Sequence, residues 1–285
     1  MKLAFTTLGC PEWDLETALA RGREMGFDGI DFRGIGPYRF DESKGRYVDF
    51  DLDITRMTAF TDGLDKTRGL IRDSGLEVAG LSSGVRFVSL PPGDLEKMLD
   101  EGRRYIALAK ELGCGMVRVF GGGFDPAKKT VEDARAEIVA GLKELAPTAG
   151  EAGVVIALET HDNWTATETM RPIFEEVGSP AVAALWDVNH PFRQAGETPE
   201  ETWANIGPWV RCTHFKDSVV GEDGKLSYTL QGEGTLPLRE FVDVLARGGY
   251  EGWLTLELEK MWHPDLPPAE VAFPAYVEAM RPLMK

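Results

Sequence analysis

Short apolar runs alternate along the chain with longer stretches in which apolar residues return every three or four positions. Eight runs stand out: Lys2–Thr7, Gly29–Arg33, Glu77–Leu81, Met116–Phe120, Val154–Glu159, Val182–Val188, Val210–Phe215 and Trp253–Glu259. Several are apolar almost throughout, as in Val154-Val155-Ile156-Ala157-Leu158, which is the pattern of a strand covered on both faces. Between the runs, Leu95, Met98, Leu99, Tyr105, Ile106, Ala109 and Leu112 follow helical spacing. So do Ala134, Ile138, Leu142, Leu145 and Ala149. Asp14 is expected to cap a helix through Met25 and Asp94 one through Leu112, because an aspartate accepts from free first-turn amides. Gly75, Gly113 and Gly153 stand where left-handed helix ends need glycine.

The runs begin about 36 residues apart on average, close to the length of one strand-helix unit. Eight such units predict an α/β fold, a (β/α)8 TIM barrel in one domain over residues 1–285. Residues 261–285 are expected to form a C-terminal extension. Within it, Phe273, Tyr276, Met280 and Leu283 recur at helical spacing and suit the barrel or a second subunit. A doubly wound sheet is the competing fold, but its GxGxxG turn after the first strand is missing. Gly34-Ile35-Gly36 lacks the third glycine, and Gly121-Gly122-Gly123 lies outside the required context.

Length and composition fit this picture. The chain has 285 residues, 43% of them hydrophobic, enough to bury a large core without cross-links. The formal net charge of −16 opposes nucleic acid and anionic membrane, since both recruit basic patches. No apolar run approaches the length of a membrane span. Cys10, Cys114 and Cys212 are widely spaced and odd in number, which predicts reduced thiols and a cytoplasmic location. The stretch before Cys10 is too short for a lipoprotein leader and is expected to be the first buried strand.

The candidate chemistry gathers at the ends of the last four runs. They finish in Leu158-Glu159-Thr160-His161, Trp186-Asp187-Val188-Asn189-His190, Thr213-His214-Phe215-Lys216-Asp217 and Leu256-Glu257-Leu258-Glu259-Lys260. Charges at the end of an apolar strand persist when they are paired or held by a metal. Two Glu, one Asp and one His on neighbouring strands make a three-oxygen, one-nitrogen set suited to Mn, Mg, Co or Zn. Glu257 and Glu259 lie two apart and share a strand face, so either can be the eighth-strand ligand. His161 shares the face of Glu159 and is expected to bind substrate or support a carboxylate. Arg118 alternates with Val117 and Val119, and a buried arginine needs a partner such as a rim carboxylate. Trp13, Trp164 and Trp262 lie on loops where a ring can stack on a sugar, and His263 sits on the last loop.

With these motifs, Gly232-Glu233-Gly234 and Gly249-Tyr250-Glu251-Gly252-Trp253, the chain resembles the sugar phosphate isomerase/epimerase family. These are xylose isomerase-like TIM barrels, whose superfamily includes endonuclease IV. The resemblance implies one divalent metal, manganese first, on Glu159, Asp187, His214 and Glu257. It favours Glu257 over Glu259 as the ligand. It also implies that Glu159 and Glu257 exchange protons on opposite sides of one substrate carbon. Substrate contacts are expected from His190, His161, Lys216, Arg118, Glu259 and Trp164.

The expected activity is isomerisation or epimerisation of a sugar or polyhydroxylated ketone through an enediolate. A metal-dependent dehydratase or lyase on an inosose, keto-sugar or related acid is the alternative, and a non-catalytic sugar-binding barrel is the third reading. All four histidines follow residue 160, which sets the chain apart from the three-zinc endonuclease branch. Glu233 would repel a phosphate at the glycine-rich turn, which favours an unphosphorylated substrate. The resemblance also suggests a homodimer or homotetramer.

Overall fold

The structure, a computed structural model, describes residues 1–284. Lys285, the last residue of the expected C-terminal extension, lies outside the described residues. The eight predicted runs form eight strands: β1 (Lys2–Thr6), β2 (Gly29–Phe32), β5 (Glu77–Ser82), β6 (Met116–Val119), β7 (Val155–Glu159), β8 (Val182–Asp187), β9 (Val210–Phe215) and β12 (Trp253–Leu256). Their hydrogen-bonded order, β1-β12-β9-β8-β7-β6-β5-β2, closes into a barrel. The first strand pairs in parallel with both the last and the second. The predicted barrel is therefore the observed fold, and the open sheet is excluded.

Contacts divide the chain into two units, Met1–Ala79 with His214–Lys285, and Gly80–Thr213. The second unit holds β6, β7 and β8, with α3 (Asp94–Leu112), α4 (Val131–Ala152), α5 (Thr167–Val177) and α6 (Pro199–Ile206). Its strands are parallel, with Val119 opposite Leu158 and Glu159 opposite Leu185. The predicted glycine ends are present: Gly113 and Gly153 take φ of 67° and 70°. Asp94, expected as a cap, is instead the first residue of α3, and the cap position falls on Gly93. A lone aspartate marks a helix start within a residue or two, because acids are favourable anywhere in the first turn.

In the first unit, α1 (Leu15–Glu24) begins as predicted, with the Asp14 carboxylate accepting from the Thr17 amide at 2.8 Å. The helix α2 (Leu64–Ser74) ends at Gly75 with φ of 74°. The chain also contains α7 (Leu238–Arg247) and α8 (Ala269–Met280). Phe273 and Tyr276 of α8 are fully buried against Phe27, and Phe273 also meets Phe5 and Trp13. Phe273, Tyr276 and Met280 therefore pack on their own chain.

Two antiparallel hairpins decorate this unit. One joins β3 (Arg39–Asp41) and β4 (Arg46–Val48), and the other joins β10 (Asp217–Val220) and β11 (Leu226–Thr229). Neither shows in the apolar pattern, because β3 and β11 bury no residue fully and β10 buries a polar pair, Asp217 and Ser218. The three cysteines are buried and not in disulfides, and no described helix is long and apolar enough to cross a membrane.

Candidate metal centre and active site

Side-chain alternation sets the site on an apolar floor. Met116, Ala157, Leu185 and Cys212 pack as one buried cluster. Each stands two residues before a polar one: Arg118, Glu159, Asp187 and His214. In a strand, residues two apart share a face, so a polar layer follows directly on an apolar one. That step from apolar to charged is the sequence signature of the site.

In the second unit, Glu159 ends β7 and is fully buried. Arg118 of β6 reaches it, Nη1 to Oε2 at 3.4 Å, and is itself 1% exposed. The guanidinium also lies 3.8 Å from the centre of the Phe120 ring. Arg118 thus has the carboxylate partner that its burial demands. Asp187 ends β8 and is held from its own loop: its Oδ1 accepts from the Asn189 amide at 2.8 Å and the His190 amide at 3.3 Å. The Thr160 hydroxyl bridges to the Asp187 backbone, accepting from its N–H at 3.0 Å and donating to its carbonyl at 3.2 Å. Neither Thr160 nor Asn189 was singled out from the sequence.

His190 is buried, with Nδ1 2.8 Å from the Thr160 carbonyl. A carbonyl can only accept, so Nδ1 carries the hydrogen. His161 lies beside it at 4.9 Å between ring centres. The hydrogen bond from His161 to Asp162 holds that carboxyl below the usual range. Trp164 is a correction. It is fully buried, its Nε1 donates to the Gly122 carbonyl at 3.0 Å, and the ring packs against Gly121. No ring face is left for a sugar; the tryptophan seals the loop after β6.

In the first unit, His214 lies near the end of β9. Its Nδ1 is 3.3 Å from Glu257 Oε1, and its Nε2 faces Asp31 Oδ2 at 3.7 Å. Asp31 of β2 is fully buried and was missed from the sequence. Its signal was present, a lone acid inside the apolar run Gly29-Ile30-Asp31-Phe32. Carboxylates behind a ligating histidine fix its ring and tautomer.

The strand β12 stops at Leu256, so Glu257 and Glu259 stand just beyond it. Lys216 Nζ donates to Glu257 Oε2 at 2.7 Å and to Glu259 Oε1. His263 lies 3.5 Å from the other oxygen of Glu259. Burial pushes the Glu259 carboxyl up, but Lys216 and His263 outweigh it and hold the group below its usual range. Glu259 in turn raises the pKa of His263.

Glu159, Asp187, His214 and Glu257 each offer a ligand atom, and these atoms lie within 4.8 Å of one another, all buried. Glu259 is outside this group. Three carboxylates brought this close repel strongly where water is scarce. Arg118 and Lys216 neutralise part of that charge, and a divalent cation would neutralise the rest. A set of three oxygens and one nitrogen fits such an ion, so these four residues could hold one metal.

A sequence profile described as xylose isomerase-like TIM barrel matches residues 19–282. Fructoselysine 3-epimerase of Shigella flexneri is 24% identical over 275 residues, covering 92% of this chain and 91% of that protein. Among solved structures, the IOLI protein with a bound zinc atom superposes with a TM-score of 0.77 at 20% identity. That match covers 100% of this chain and 98% of the other. The apo 3-keto-D-glucoside 4-epimerase of E. coli superposes with a TM-score of 0.75 at 15% identity, covering 99% of each chain.

Proposed function

Because the chain belongs to the xylose isomerase-like TIM barrel family, we propose that it is a divalent-metal-dependent epimerase or isomerase of a sugar or polyhydroxylated ketone. The observation that carries this reading is the buried group of Glu159, Asp187, His214 and Glu257. Manganese is the proposed ion, since oxygen-rich sites suit it. When bound, such an ion supplies Lewis-acid polarisation of the substrate carbonyl.

The chain's own residues then divide the proton work. One of Glu159 and Glu257 removes the proton next to the carbonyl, and the other returns a proton to the enediolate. A carboxylate is a weak base for a carbon acid, and close placement with exclusion of water compensates. Arg118 and Lys216 hold the two carboxylates in place. His190, with its hydrogen on Nδ1, keeps Nε2 as an acceptor for a substrate hydroxyl. His161 and Glu259 complete the polar wall.

The substrate in this reading carries no phosphate at the glycine-rich turn. The amides of Gly232 and Gly234 donate to Asp217 Oδ2 at 2.9 and 3.1 Å, and those of Ser218 and Leu236 to Oδ1. A side chain of this protein already occupies the nest that would cradle an anion. The reason differs from the one read in the sequence: Asp217 fills the turn, and Glu233 is not needed to repel.

Elemental analysis of the purified protein beside His214→Ala, followed by incubation with ketoses in deuterated water, tests the proposal. About one metal per chain, lost in the variant, and deuterium entering an equal-mass sugar isomer are expected. No metal after loading with manganese overturns it. Loss of water from the substrate moves the assignment to a dehydratase.

A further inference from the structure

The hairpin β3–β4 and the loop after β12 flank an open cleft of about 610 Å³, lined by Lys44, Arg46, Tyr47, Phe50, Met261 and Trp262. This is the size of a small-ligand site. Its floor is firm: Tyr47 and Met261 are buried together with Leu8, and the Tyr47 hydroxyl donates to Glu12. Its rim is aromatic and wet. Phe50 is 36% and Trp262 45% exposed, and the two rings meet edge to face at 5.5 Å. Two large aromatic side chains held open to water around a cleft mark a place where something apolar docks.

The cleft is tied to the chemistry through the backbone. Met261 and Trp262 follow Glu257 by four and five residues. His263, next to Trp262, contacts Glu259, which shares Lys216 with Glu257. The charge at the rim runs against the rest of the molecule. In a chain of net charge −16, Lys44 and Arg46 line this cleft. Lys44 is offset by Asp41 at 3.4 Å, and the lining acid Asp49 is taken by Arg39 at 2.6 Å. Arg46 makes no ion pair among the described residues and leaves its guanidinium to an incoming group.

We infer that this cleft receives the non-reacting substituent of the substrate, and that the substituent is an aryl group carrying an acidic oxygen. The inference rests on the epimerase reading for what is attached to that group. The aryl face packs between Phe50 and Trp262, and the carboxylate or phenolate meets Arg46. An aryl acid answers both features at once: its ring face packs between the two aromatic side chains, and its anionic oxygen neutralises the Arg46 charge, which a neutral sugar ring cannot do.

The test uses the aryl part alone, so it does not depend on turnover. Saturation-transfer NMR is run on the metal-loaded protein with 4-hydroxybenzoate and, separately, benzylamine. Transfer to the 4-hydroxybenzoate ring protons is expected, falling about threefold to tenfold in Trp262→Ala and in Phe50→Ala. It should also fall in Arg46→Gln, with metal content and circular dichroism unchanged in all three. No transfer, or transfer equal in the wild type and the two aromatic variants, overturns the site. Benzylamine binding as well as the acid overturns the ligand class. Sedimentation velocity guards against another occupant: a dimer that Trp262→Ala or Phe50→Ala splits means a second copy covers the rings, and the inference fails. Failure of the epimerase reading shows separately, in metal content and deuterium exchange.

Discussion

Glu159 and Glu257 belong to the same candidate group and have the same chemistry but different keepers. Glu159 belongs to a region without hairpin insertions, where Arg118 on the adjacent strand faces it and both are about 1% exposed. Glu257 belongs to a region with long insertions. It is 8% exposed and shares Lys216 with Glu259, which His263 also contacts. A guanidinium stays charged at every working pH and fixes a plane, whereas an ammonium is a point charge on a flexible stem. The first carboxylate faces a rigid guanidinium, and the second belongs to a chain of alternating charges through Lys216, Glu259 and His263. The lesson is that equal residues in a symmetric barrel acquire unequal surroundings from the elements around them.

Removing the carboxylates themselves should have the largest effect. Glu159→Gln and Glu257→Gln should each lower turnover by about 10²–10⁴-fold, the usual weight of a proton-transfer group. Deuterium exchange into substrate should fall with it, while circular dichroism stays unchanged. If one variant keeps full exchange, the two carboxylates are not partners in one proton transfer.

Removing the keepers tests the asymmetry directly. In metal-free protein, Arg118→Met strands a fully buried carboxylate and should cost about 3–5 kcal/mol in urea unfolding. Lys216→Met should cost less, because Glu257 and Glu259 keep some access to water. Equal losses would erase the distinction between the two carboxylates.

A smaller effect is expected from Asp31→Asn. It leaves the ligands intact but removes the charge facing His214 Nε2, so metal affinity should drop about 10–100-fold in a chelator competition. The fold and the apo stability should hold. Unchanged affinity would mean that Asp31 does not orient the ring.

The smallest effect concerns His263. Glu259 raises its pKa in the folded chain, so the pair stabilises the fold fully below the ordinary histidine value. That contribution fades as pH rises through the raised value. His263→Gln should therefore lower the melting temperature slightly in mildly acidic buffer and leave it unchanged in alkaline buffer. A loss that grows with pH would contradict the pairing.

Much of this molecule is legible along the chain. The run Val182–Val188 became β8, and Asp187 at its end became a ligand candidate, because burial on both faces writes itself as unbroken apolar sequence. The β3–β4 hairpin was not legible: Arg39–Asp41 is largely exposed, and an exposed strand leaves no apolar record. Trp164 shows the converse, since an aromatic on a loop reads as available until the structure reveals what covers it.

The sequence by itself determined the eightfold rhythm, the absence of a nucleic-acid charge pattern and three of the four residues of the candidate metal group, Glu159, Asp187 and His214. Each of these depends on local periodicity or on residue type at a strand end. Only the tertiary structure decided which carboxylate pairs with which cation, and that Glu257 joins the group while Glu259 turns to Lys216 and His263. Alternation makes residues 257 and 259 equivalent. The end of β12 at Leu256 breaks that equivalence. Arg118 and Glu159 lie 41 positions apart, as do Lys216 and Glu257. Their meeting depends on strand register, because electrostatics acts through space and not along the chain.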